Sequence, residues 1–123
     1  MKKINLAAML LLLSAFTSAV YADITLQSNT HKMIIDTKYK KETLSTNNKI
    51  HSENMYQLFA YLKNQENLND ALSMRCEGIL LYPTIDKEYQ HEYQYESHKI
   101  SIRTINLNQD WKNIEQDLLK IVN

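Results

Sequence analysis

The chain has 123 residues, 44% of them hydrophobic, with 14 basic and 14 acidic side chains and a formal net charge of zero. That length and polarity describe one globular domain with an ordinary core. The even balance excludes a general basic surface for nucleic acid, so any phosphate contact must come from a local cluster, of which Lys32, Lys38, Lys40 and Lys41 form the densest. Gly78 and Pro83 are the single glycine and the single proline. A P-loop and a Gly-rich dinucleotide turn both need more glycine than that, so neither nucleotide site can be built. Cys76 stands alone and cannot form an internal disulfide. His31, His51, His91 and His98 lack zinc-finger spacing and are expected on the surface or in loops.

Residues 1–22 have the parts of a secretory signal peptide. Lys2 and Lys3 form a basic start, residues 4–16 an apolar run, and Val20-Tyr21-Ala22 ends with small residues at the positions a signal peptidase reads. The run is shorter than the ~20 apolar residues a spanning helix needs. A buried helix over residues 4–16, followed by a strand, accounts for the same pattern. Export and cleavage would leave Asp23 as the first residue.

From residue 23 the alternation of polar and apolar side chains predicts a half-buried strand over 23–26. Ser28-Asn29-Thr30 is a turn signal, and residues 32–39 read as a second strand with Met33-Ile34-Ile35 buried. The short connection makes the two antiparallel neighbours. Residues 40–54, rich in Thr, Ser and Asn, read as a surface loop. Met55, Leu58, Phe59 and Leu62 form a helical stripe over 55–62, with Ser52 or Asn54 as its cap. Residues 68–74 suit a second short helix. The apolar run 78–82, ended by Pro83, predicts a central buried strand. Residues 86–98 are polar and Tyr-rich and carry no assignment. Ile100, Ile102, Ile105 and Leu107 predict a further strand. Residues 110–122 close as an amphipathic helix with Trp111, Ile114, Leu118, Leu119 and Val122 on one side. The order β-β-α-β-β-α predicts an α/β fold, a mixed sheet with helices against it.

One constellation carries chemistry. The hairpin would bring Asp23, at the start of the first strand, beside Asp36, near the end of the second. Asp36 and Lys38 are two residues apart and share a face of their strand. Two carboxylates and an ammonium at one sheet edge suit metal-dependent phosphodiester hydrolysis. Mg²⁺ takes oxygen ligands, usually one or two carboxylates, and a nearby lysine stabilises developing negative charge. Asp-x-Lys by itself is more often a solvated ion pair.

Asp23, a hairpin, then Ile35-Asp36-Thr37-Lys38-Tyr39-Lys40 resembles the PD-(D/E)XK nuclease motif as it occurs in the McrC family, the nuclease subunits of the McrBC modified-cytosine restriction system. Residues 54–61, Asn-Met-Tyr-Gln-Leu-Phe-Ala-Tyr, are similar to the helix that follows that motif and hold the Gln-x-x-x-Tyr pair of RecB-like nucleases as Gln57 and Tyr61. Leu80-Leu81-Tyr82-Pro83 is similar to the next core strand, and Ile105-Asn106-Leu107 with Trp111 to the end of the family. Ala22 replaces the motif's proline.

The resemblance implies a restriction-endonuclease-like mixed sheet. Asp23, Asp36 and Lys38 would be catalytic; Asp23, Asp36 and Thr37 would bind Mg²⁺; Gln57, Tyr61 and Lys40 would support the site or contact DNA. The bland reading of Gln57 and Tyr61 is the polar edge of a core helix. The implied partners are DNA with modified cytosine and the AAA+ GTPase McrB, with no GTP site in this chain. The domain would span residues 23–123. Residues 1–22 do not resemble the earlier core helix, strand and partner-binding region that the family implies, so the sheet is expected to be incomplete at its N-terminal side. The implied location is cytoplasmic, against export if residues 1–22 act as a signal. The competing functions are an inactive remnant of the nuclease and a small exported binding protein.

Overall fold

The computed structural model describes residues 21–38, 48–84 and 88–123, with the backbone alone at 21–23 and 48–51. A five-stranded mixed sheet has the order β1-β2-β3-β5-β4. Its strands are β1 (Tyr21–Gln27), β2 (Lys32–Lys38), β3 (Glu77–Pro83), β4 (Gln90–Tyr95) and β5 (His98–Ile105). Among the described residues three helices accompany it: α1 (Asn48–Asn64), the single turn α2 (Ala71–Met74) and α3 (Trp111–Val122). The fold is α/β, a mixed sheet flanked by helices. β1 and β2 form the predicted antiparallel hairpin, and β2, β3 and β5 run parallel at the centre. The Ser28 hydroxyl holds the β1–β2 turn by accepting from the Thr30 and His31 amides.

Each face of the sheet has its own core, because the strand period of two sends alternate side chains to opposite sides. Ile34, Leu80, Tyr82, Ile100 and Ile102 pack under Met55, Leu58 and Leu62 of α1. Met33, Ile35, Ile79, Leu81 and Ile105 pack under Leu118 and Val122 of α3. β3 is the central strand and is buried on both faces, as its unbroken apolar run requires.

Three expectations are corrected, and one unassigned stretch takes a structure. Helix α1 begins at Asn48, so residues 48–54 are helical and neither Ser52 nor Asn54 is a cap. Their polarity reflects the helix surface: Ser52 and Glu53 are exposed, and packing of the later stripe overrides weak local propensity. Within the unassigned stretch, residues 90–95 form edge strand β4, turned into β5 at Glu96-Ser97 with Glu96 at φ 54°. Asn-Gly or Asp-Gly marks such a turn, and Glu-Ser does not. Trp111 is 59% exposed; in the first turn of α3 its Cβ leans back toward the helix N-terminus, off the sheet. His98 is fully buried on the α1 face, not at the surface. Its Nδ1–H donates to the Cys76 carbonyl at 2.8 Å and its Nε2 meets the Glu66 carboxylate at 2.6 Å.

Among the described residues no helix is long and apolar enough to cross a membrane.

Candidate functional site

Asp23 and Asp36 are direct register partners across the β1–β2 hairpin. The Asp36 side chain lies on the α1 side of the sheet, because Ile34, two residues before it, packs under α1. Lys38 follows on the same side. Its Nζ lies 3.1 Å from Asp36 Oδ2, with side chains only 7% and 13% exposed for Lys38 and Asp36. This is a shielded pair, not a solvated one. Thr37 is buried on the opposite, α3 face.

The N-terminal half of α1 covers this end of the sheet. Asn54 Nδ2 donates to Tyr82 Oη at 2.9 Å, near the C-terminal end of β3, whereas Leu58 and Leu62 lie over Gly78 near its start. The two edges of α1 differ. Phe59 packs on Tyr95 and His98, with ring centroids 5.3 and 6.4 Å apart, so its edge faces β5 and β4. At 100° per residue, Gln57 and Tyr61 fall on the other side of the buried stripe, toward β2 and β1. Both are exposed. The structure thus sets Asp36, Lys38, Gln57 and Tyr61 on one side of the sheet, with the last two on the helix edge nearer the hairpin, and Asp23 is the register partner of Asp36. Lys40 lies outside the described residues.

Of the lysines clustered in the sequence, Lys40 and Lys41 lie outside the described residues, and Lys32 and Lys38 do not share a patch. Lys32 and Lys38 open and close the same seven-residue strand, roughly 20 Å apart at a rise of ~3.3 Å per residue. Lys32 instead lines a cleft of about 290 Å³ with His31, Arg75 and Lys99 at the far end of the sheet. Sequence reading offered Asn54 only as a cap, and missed it as the buried partner of Tyr82. A polar side chain inside an apolar stripe, three residues before Gln57, was the available signal. Among the described residues no three or more His, Cys, Asp or Glu side chains gather. Cys76 is buried, and burial pushes its thiol up to about 11, so it offers no ready thiolate.

The family described as McrBC 5-methylcytosine restriction system component matches residues 9–83. The chain belongs to that family. The match takes in β1, β2, α1 and β3, hence every described residue of the site, and it begins inside the signal-like segment. The chain is also similar to the type IV methyl-directed restriction enzyme EcoKMcrBC of Escherichia coli (strain K12), with 37% identity over 107 residues. That alignment covers 80% of this chain, which spans 28% of the length of that relative.

Proposed function

We propose that this chain is the nuclease part of a modification-dependent restriction system, cutting DNA with Mg²⁺ under the control of an AAA+ GTPase subunit. The observation that carries the reading is the shielded Asp36–Lys38 pair, opposite Asp23 in register, in a chain of the McrBC family. The donor set fits Mg²⁺, since carboxylate oxygens at a strand end are the ligands that ion takes. Asp23 and Asp36 would hold it through their carboxylates. Thr37, whose side chain is buried on the other face, would reach it only through its main-chain carbonyl. When bound, Mg²⁺ supplies a Lewis acid that polarises the scissile phosphate and acidifies a water.

The remaining work belongs to the chain's own groups. Asp36 anchors the Lys38 ammonium in a nearly dry position, where a charge acts more strongly than in water. Lys38 stabilises negative charge building on the phosphate oxygens and orients the attacking water. Gln57 and Tyr61, exposed on the hairpin-side edge of α1, receive the DNA strand, and Lys40 adds a phosphate contact. Recognition of the modified base, and the GTP that drives the assembly, belong to the partner. The reaction is proposed for the cytoplasm, the location that the resemblance implies.

The test is cleavage of a plasmid bearing methylated cytosine, with GTP, Mg²⁺ and the GTPase subunit present. Asp36→Ala removes one of two fixed ligands and is expected to abolish cutting. Lys38→Ala is expected to slow it roughly a hundredfold, the loss of about 3 kcal/mol of transition-state stabilisation. Full activity in Asp36→Ala would remove the metal role and the reading with it.

A further inference from the structure

Asn54 and Tyr82 sit in the core with a bond between them. Asn54 is 7% exposed within the stripe of Met55, Leu58 and Leu62, and Tyr82 is 0% exposed. A buried amide or phenol costs stability unless it is hydrogen-bonded, and the Asn54 Nδ2 to Tyr82 Oη bond of 2.9 Å meets that need for both. The location gives the bond a second consequence. Asp36 is opposite Leu80 and Thr37 opposite Leu81 in the parallel β2–β3 ladder. One residue further on, Lys38 and Tyr82 are neighbours on adjacent strands, both on the α1 face. Lysine has a flexible four-carbon stem, so a fixed ammonium requires walls. That step of the ladder sets Tyr82 on the β3 side of Lys38, and Asn54 of α1 bonds the Tyr82 hydroxyl.

We propose that Asn54 and Tyr82 are positioning residues for Lys38: their hydrogen bond fixes the Tyr82 ring, and the ring keeps the Lys38 ammonium over Asp36. This rests on the reading of Asp36 and Lys38 as the cleavage site. The pair acts through Lys38 and need not touch DNA. Its removal therefore lowers turnover and leaves DNA affinity alone, since misplacing a reacting group by about 1 Å costs up to ~10²-fold in rate.

The experiment is a double-mutant cycle in the assembled system with GTP and Mg²⁺, reading kcat and KM for methylated DNA. Tyr82→Phe keeps the ring and deletes the hydroxyl. Asn54→Leu keeps the volume in an apolar stripe and deletes the donor, and it serves if Tyr82→Phe folds poorly. Either is expected to lower kcat about tenfold at unchanged KM. In a Lys38→Gln background the same change is expected to cost less than about twofold, because nothing remains to be positioned. An equal loss in both backgrounds would show a purely structural bond and overturn the proposal, as would an unchanged kcat in both single variants. A wild-type assembly that fails to cut would instead defeat the underlying site assignment, and this inference with it.

Discussion

Gly78 is where helix α1 comes closest to the sheet, and replacing it with alanine tests how tightly the site is framed. It is a buried β3 residue facing Leu58 and Leu62. A Cβ placed there would meet Leu58 Cδ2 at 2.8 Å, Leu58 Cγ at 3.0 Å and Leu62 Cδ1 at 3.1 Å. The first distance is closer than carbon atoms tolerate, so the Leu58 side chain or the helix must move. Leu58 is 4% exposed and Leu62 fully buried, so neither has empty space to enter. Overpacking of this kind costs about 1–3 kcal/mol. Alanine recovers about 0.5–1 kcal/mol of glycine's backbone entropy. The net expectation for Gly78→Ala is a loss of about 1–2 kcal/mol, read as a lower urea midpoint at unchanged slope by far-UV circular dichroism. Adding Leu58→Ala removes the obstructing atoms, so the double variant should lose less than the sum of the single losses. A Gly78→Ala chain as stable as wild type would refute the close approach. Because α1 carries Asn54, Gln57 and Tyr61, displacement of the helix should also lower cleavage in the assembled system.

Two further outcomes are expected. The His98 ring, and after it the Lys63 ammonium, hold the Glu66 carboxyl below its ordinary value of 4.5. A carboxyl depressed in the folded state contributes stability that is present above about pH 4.5 and lost as pH falls through the folded value. Wild type should therefore lose urea resistance more steeply than Glu66→Gln below pH 4.5, and parallel acid profiles for the two would contradict the bond. For residues 9–22, a periplasmic reporter fused after Ala22 should stay inactive in a bacterial host. Export and cleavage of that fusion would show a leader, and would place the chain outside the compartment where its proposed substrate lies.

The hairpin and the Asp36–Lys38 pair were legible because they are local. Alternating side chains, a turn of Ser, Asn and Thr, and Asp-x-Lys at a strand end determine one another within twenty residues. Strand β3 was legible for a related reason, since an unbroken apolar run bounded by a proline has few places to go but a sheet centre. Strand β4 was not. Gln90 to Tyr95 is mostly exposed along an outer edge, where no core imposes a hydrophobic pattern, and its turn uses Glu96 at positive φ in place of glycine or asparagine. The start of α1 was hidden because its first two turns are polar. His98 was misplaced because its partners, Glu66 and the Cys76 carbonyl, lie 32 and 22 residues away and are joined only by the fold.

The same distinction governs the site. Register pairing of Asp23 with Asp36 is a property of the hairpin, and the shared side of Gln57 and Tyr61 is a property of the helix. Neither says which edge of α1 turns toward β2. That choice is made by Phe59, which packs on Tyr95 and His98, residues contributed by a hairpin some forty positions later. Those contacts commit one edge of α1 to β5 and β4, and the opposite edge, with Gln57 and Tyr61, is thereby left toward Asp36 and Lys38. Strand β4, distant from the carboxylates and unassigned by sequence, is thus part of what orients the helix over them. Loosening Phe59 would change the candidate site without touching a residue proposed to carry its chemistry.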